Sequence, residues 1–400
     1  MIKSERVKSI IVCTILALWI AIPTGINLKF AIVLSNTVFR MNTWVSLILC
    51  VILVPLITDG KVKKNFDKLY LLFLLYCCIN TIFKLFSVEK SLSVAVDAIL
   101  ILTLPYILVK AFSSIKIPLY KDYVINFIKL LGGYIVLQVF LSSLIAEIRD
   151  WDSSAISDRA SSTLGESNCT AYFLVGICLL LLTLYIKKRR SMDLVQLLVT
   201  VVAILLSQSR GALGCLIIIF ATAFVMSNVK IKSKMIILII AGLVGIYFWN
   251  PDIYANLYMR IFTEQSQGSN LSRIQYLSHA LNAFVEKPIL GYGNGLLIYR
   301  LSRSERYLTD IPNPHNQWVA LLVETGAVGV LLFVMSQVSY IKRGVRKGWE
   351  SRFTSVSLFF YIIIGFMFET LYTGDIRTSL CFWLYWFIIE YFDDSQYNIK

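Results

Sequence analysis

The feature that most constrains this chain is the recurrence of apolar runs long enough to cross a bilayer. A helix needs about 20 apolar residues to span a hydrocarbon core of about 30 Å. Such runs cover roughly 9–25, 41–58, 68–86, 92–112, 123–146, 169–186, 193–207, 211–228, 235–250, 316–341, 353–371 and 377–392. Inside hydrocarbon the backbone must satisfy its own polar groups, which a helix does within one segment. The sequence therefore predicts an all-α polytopic membrane protein with about 12 transmembrane helices, a single integral membrane domain over 1–400. Composition agrees. Only 16% of residues are charged and 57% are apolar, whereas soluble domains carry about 25% charged residues, so an ordinary soluble enzyme is excluded.

The formal net charge of +14 would suit nucleic acid if it lay on one soluble face. Its distribution says otherwise. Lys61, Lys63 and Lys64, then Lys116 and Lys121, then Lys187 to Arg190, then Lys230, Lys232 and Lys234, then Lys342, Arg343, Arg346, Lys347 and Arg352 fall in every second connection between spans. By the positive-inside tendency these connections are cytoplasmic, and so are both termini. The basic start, Lys3, Arg6 and Lys8, resembles a signal peptide but lacks a small-residue cleavage site, so 9–25 reads as an uncleaved first span. Cys13, Cys50, Cys77, Cys78, Cys178, Cys215 and Cys381 sit in apolar runs with no C-x-x-C spacing, which argues against a zinc site or a disulfide framework.

Two outward connections are long. Residues 147–168 are polar with mixed charge, and 251–315 form an external loop between spans nine and ten that should carry structure of its own. Within it Asn270 can cap an amphipathic helix bearing Leu271, Ile274, Leu277, Leu281 and Phe284, which Pro288 ends. Spans 193–207 and 211–228 are short, and the alternation of basic connections holds only if they form a hairpin with Gln208-Ser209-Arg210-Gly211 at its outer tip.

Several residues on that outer side could carry chemistry. An arginine at a hairpin tip, Arg210, either snorkels to the interface or meets an anion. Arg273 falls near the start of the expected loop helix, where a cation opposes the helix dipole; it is either a solvated loop residue or the partner of an anion. His279 reads as a surface residue of that helix. His315, in Pro312-Asn313-Pro314-His315-Asn316, enters the outer leaflet on a proline-stiffened segment, where an imidazole either serves structure or handles a proton. Among charges within spans, Lys84 and Asp97 can pair, Lys129 can snorkel inward, and Glu324 lies about 13 Å of helix below His315. Gly291-Tyr292-Gly293-Asn294-Gly295 has neither the strand nor the helix start of a phosphate loop and reads as a turn.

Taken in order, Ser209-Arg210-Gly211-Ala212 after a span, Arg273 in a helix leading to Lys287-Pro288-Ile289-Leu290-Gly291-Tyr292-Gly293, and Pro314-His315-Asn316 opening a span resemble the O-antigen ligase and O-antigen polymerase superfamily. The sharpest likeness is His315-Asn316, nine residues, then Gly326-Ala327-Val328-Gly329. Asn168, in Glu166-Ser167-Asn168 before the sixth span, is a weaker one. The likeness covers roughly 165–335.

The resemblance implies a membrane glycosyltransferase of the GT-C kind in the cytoplasmic membrane of a bacterium, acting at its outer face. Its donor would be a glycan on undecaprenyl pyrophosphate, and its acceptor another lipid-linked glycan (a polymerase) or lipid A core (a ligase). Arg210 and Arg273 would hold the pyrophosphate, His315 would accept or orient the acceptor proton, and Asn316 and Glu324 would bind substrate. A chain-length regulator is an expected partner and nucleic acid is not. No cofactor is expected and no metal, since no carboxylate cluster suited to Mg²⁺ lies on the outer side. From another class, a multi-span transporter or flippase stays open, although the two halves of the chain show no similarity.

Overall fold

The computed structural model describes residues 2–21, 41–58, 67–87, 92–144, 160–164, 167–226, 240, 244, 265–295, 313–373 and 376–392. Among these the chain is helical and has no strand. The helices are α1 (Ile2–Ile20), α2 (Met41–Thr58), α3 (Lys68–Ser87), α4 (Leu92–Ser113), α5 (Pro118–Leu144), α6 (Ser167–Lys188), α7 (Ser191–Leu206), α8 (Arg210–Met226), α9 (Gln265–Glu286), α10 (Gln317–Val345), α11 (Trp349–Phe360, continued through a π turn at Tyr361–Gly365 to Phe366–Phe368) and α12 (Ile376–Phe392). Apart from residues 240 and 244, the expected ninth span lies outside the described residues, as do 147–159, 251–264 and 296–312.

Five segments, Ala95–Ser113, Pro118–Leu144, Ser167–Lys188, Gln317–Val345 and Trp349–Phe368, are each long and apolar enough to cross a membrane; α7 and α8 are apolar but shorter. This is a multi-pass membrane protein. At its centre α6 and α12 bury nearly every side chain, as helices apolar all round should. They approach closely because Gly176 has no side chain: a Cβ there would lie 2.6 Å from Leu384. At the periphery Leu130, Leu137 and Leu144 of α5 and Leu75, Ile79 and Phe83 of α3 are exposed, a surface that suits lipid rather than water.

At one end of the bundle the charged residues pair. Lys110 of α4 bonds Asp67 at 3.0 Å and Glu390 of α12 at 3.3 Å, and Arg343 of α10 bonds the same two carboxylates at 2.9 and 2.7 Å. Tyr340 donates to Glu390 at 3.1 Å and stacks on Trp386 at 3.6 Å. These are the helix ends that alternation of the basic connections places on one side. Lys129, expected to snorkel, instead forms an ion pair with Asp193 of α7.

The expected hairpin forms as two helices, but its turn is Ser207–Ser209. The Ser209 carbonyl accepts from the Leu213 amide at 3.0 Å, so Arg210 and Gly211 already belong to α8. Past the turn the arms diverge, α7 onto α6 and α5, α8 onto α11 and α6. The loop helix also departs from expectation. α9 begins at Gln265, so Asn270 lies inside it and is not its cap, and Arg273 sits too far along to oppose the dipole there. Its buried face is Ala280 and Ala283 with Leu277 and Phe284, packed on Val319, Ala320 and Val323 of α10, while Leu271, Ile274 and Leu281 are exposed.

The most consequential local feature is a break in α10. Gly326 adopts φ 65, ψ −175, which removes the helical bonds that would join the amides of residues 327 and 328 to the carbonyls of 323 and 324. The segment after α9 replaces them one for one. The Ala327 and Val328 amides donate to the Pro288 and Ile289 carbonyls (2.8 and 3.3 Å), while the Val323 and Glu324 carbonyls accept from the Tyr292 and Gly293 amides (3.0 and 2.9 Å). Two backbones can meet this closely only at glycine. A Cβ on Gly326 would stand 2.2 Å from the Ile289 oxygen, and one on Gly291 (φ 68) 2.6 Å from the Glu324 carbonyl. α3 fastens the junction through Tyr76, which donates to the Thr325 carbonyl at 2.7 Å, and Asn80, which donates to that of Leu290 at 2.7 Å.

Gly326→Ala should therefore destabilise the protein by at least the ~1–3 kcal/mol typical of a strained non-glycine backbone. The check is thermal unfolding of the purified full chain in detergent, where the variant should melt lower and yield less folded protein. An unchanged midpoint would mean that the junction is not under this constraint.

Candidate functional site

At the end of the bundle opposite the ion-pair cluster, five separate segments converge: the start of α6, the α7–α8 turn, α9, the entry to α10 and the end of α11. They enclose a cavity of about 520 Å³ lined by residues including Asn168, Gln208, Arg210, Arg273, His315 and Asn316. Its volume falls within the about 300–1,000 Å³ typical of small-ligand sites.

Each element presents its residue for a local reason. Residues 313–316 make a tight entry to α10: the His315 amide donates to Asn313 Oδ1 at 2.9 Å, His315 adopts a left-handed φ of 48, and Asn316 Oδ1 caps α10 by accepting from the Val319 amide at 3.1 Å. On the facing side the π turn in α11 precedes the helix end at Phe368, a setting in which π turns recur near functional sites, and Glu369 is extended. The two segments are stitched together. Asn313 Nδ2 donates to Thr370 Oγ1 at 2.8 Å, and Gln317 Oε1 accepts from the Tyr372 and Thr373 amides at 2.8 and 3.0 Å.

This stitching brings His315 Nδ1 to 2.8 Å from Glu369 Oε1, while Asn168 Nδ2 donates to Glu369 Oε2 at 3.1 Å. Glu369 lies just past the α11 span. Burial pushes its carboxyl up, but His315, Arg273 and the Thr370 amide outweigh that and hold it below the ordinary carboxylate range. An ionised carboxylate fixed on one imidazole nitrogen orients the ring and stabilises its protonated form, leaving chemistry to the other nitrogen.

The opposite wall is cationic. Arg210 opens α8, so its guanidinium sits where the helix dipole already concentrates positive charge, and it lies close enough to Arg273 for the two to repel each other. Arg273 Nη1 reaches the Phe368 carbonyl at 3.4 Å. Among the described residues that line the cavity none is a carboxylate. A guanidinium at a helix start with a second one facing it makes a site for a bidentate, multiply charged anion.

Four of the five residues singled out from sequence are thus brought together: Arg210, Arg273, His315 and Asn316. Glu324 is not among them. It is fully buried, does not line the cavity, and contributes its carbonyl to the α10 junction. His279 is exposed on α9, as a surface residue should be. The sequence reading missed Glu369, whose signal was a carboxylate at the end of an apolar span, and it missed Gln208 and Tyr172, which also line the cavity.

No curated protein matches the chain. Residues 194–334, which run from α7 into α10 and contain Arg210, Arg273, His315 and both glycines of the α10 motif, match the O-antigen ligase family, whose members are membrane enzymes that transfer glycans.

Proposed function

We propose that this protein polymerises oligosaccharide repeat units carried on undecaprenyl pyrophosphate, at the outer face of a bacterial cytoplasmic membrane with both termini in the cytoplasm. The observation that carries the reading is one cavity with two guanidiniums on one wall and a carboxylate-backed histidine on another. A lipid pyrophosphate lies at the membrane-water boundary, and guanidinium matches its oxygens bidentately.

In the reaction the acceptor hydroxyl oxygen attacks the anomeric carbon of the donor sugar. The bond from that carbon to the phosphate oxygen breaks, and its electron pair leaves with undecaprenyl pyrophosphate. Arg210 and Arg273 stabilise the charge that develops there. His315 Nε2 takes the hydroxyl proton, and Glu369 steadies the imidazolium that forms. A single displacement inverts the anomeric centre. Asn316, whose side chain spans the α10 cap and the Met367 carbonyl, sets the position of the histidine. The reading draws on guanidinium charge and invokes no metal or cofactor, and it leaves Glu324 a structural role.

The family description favours a second reading, a ligase that moves the finished glycan to lipid A core. Both use the same chemistry. A transporter is less well supported, since the converging polar groups lie at one end of the bundle under α9 rather than at its middle.

Arg210→Ala, Arg273→Ala and His315→Ala are each expected to abolish long-chain glycan on gels while the protein stays in the membrane; normal glycan in any one removes that residue from the mechanism. Glu369→Gln should lower turnover by about a hundredfold, at the low end of a general-base contribution, and leave donor affinity within about twofold. Deleting the gene separates the readings. Loss of the ladder with a single repeat still attached means polymerase, whereas full-length chains accumulating on the carrier lipid mean ligase.

A further inference from the structure

The cavity has a neutral edge that the pyrophosphate chemistry leaves unused. Gln208 is 93% buried and lines the cavity. It is held there by a left-handed backbone, φ 52, which costs a glutamine on the order of 1–2 kcal/mol and would cost glycine nothing. Tyr172 of α6 also lines the cavity, and its hydroxyl is buried with no hydrogen-bond partner among the described residues. Tyr361 and Tyr385 also bury unbonded hydroxyls, but they do not line the cavity, whereas Tyr172 does. The Tyr172 hydroxyl lies over the first turn of α8. A Cβ on Gly211 would stand 2.1 Å from its oxygen, so the glycine after Arg210 is what gives this hydroxyl its place.

Burying a polar group without a partner, as with the Tyr172 hydroxyl, costs free energy, and a ligand can complete such a group at a cavity. A carboxamide and a phenol both donate and accept hydrogen bonds. They suit neutral hydroxyl or acetamido groups better than phosphate, which the arginines already match. We infer that Gln208 and Tyr172 form the sugar-recognition edge of the cavity, bonding ring substituents of the sugar joined to the donor pyrophosphate. The inference rests on the transferase reading above and adds a specificity site to it.

The test uses the full chain in nanodiscs and two probes: undecaprenyl pyrophosphate, and the lipid-linked repeat that accumulates in cells lacking this gene. Gln208→Gly relieves the backbone strain as it removes the carboxamide, so its melting temperature should equal or exceed that of the native chain. It should nevertheless bind the repeat-bearing lipid about tenfold more weakly, the scale of one lost hydrogen bond. Tyr172→Phe should behave likewise, and both variants should bind the bare lipid as the native chain does. Arg210→Ala should weaken both lipids. If Gln208→Gly and Tyr172→Phe bind the repeat-bearing lipid normally, or lose both lipids equally, the sugar edge is overturned. If the native chain binds neither lipid, or no lipid-linked glycan, whether single repeat or full-length chain, accumulates on deletion, the transferase reading itself falls and takes the inference with it.

Discussion

A helix broken inside a membrane exposes backbone donors and acceptors that hydrocarbon cannot satisfy. In this chain the break at Gly326 is repaired by a second backbone, that of residues 288–293, which supplies two carbonyls and two amides where α10 lacks its own. The geometry of the site follows from this repair. The repairing segment begins where α9 ends, so it fixes the helix that carries Arg273; the repaired helix begins at Asn316, so it fixes the entry turn that carries His315. Cationic wall and histidine are thereby referenced to one junction, and α3 locks that junction through Tyr76 and Asn80.

The two ends of the bundle use charge in opposite ways. At one end Lys110 and Arg343 share Asp67 and Glu390, and each buried charge is compensated within the protein. Such a network fixes the register of α3, α4, α10 and α12 more than it adds stability, since desolvation offsets much of its attraction. At the other end Arg210 and Arg273 face one cavity that has no lining carboxylate among the described residues, and nearby Glu369 bonds His315 and Asn168. The +14 of the sequence thus has one component paired with carboxylates between helices and a smaller one that lines the cavity.

Much of this was legible in the sequence because hydropathy and motif order are local properties. The apolar runs marked the helices, and Arg210, Arg273 and His315, each of which also had a structural reading, were singled out by an order of motifs that resembles the O-antigen ligase and polymerase superfamily. What escaped was tertiary. Run 316–341 reads as one uninterrupted span, so hydropathy hides the break, and only the glycines of the motif hint at it. Glu369 lies 54 positions from His315, and no periodicity links them. The start of α9 was missed because Gln265 to Asn270 are polar and carry no apolar period, which left Asn270 as the apparent cap. Glu324 looked functional as an intramembrane carboxylate; it lies away from the cavity lining, with its carbonyl in the junction at Gly326.

The central claim is a single displacement: a hydroxyl deprotonated by the Glu369-backed His315 attacks the anomeric carbon while Arg210 and Arg273 hold the departing pyrophosphate. The most direct measurement is the anomeric configuration of the new glycosidic bond, read by NMR on product made by the purified full chain from its lipid-linked donor. One displacement predicts inversion relative to the donor phosphate linkage. Retention would require a covalent glycosyl-enzyme step, for which the cavity offers no lining carboxylate nucleophile among the described residues, and would contradict the account.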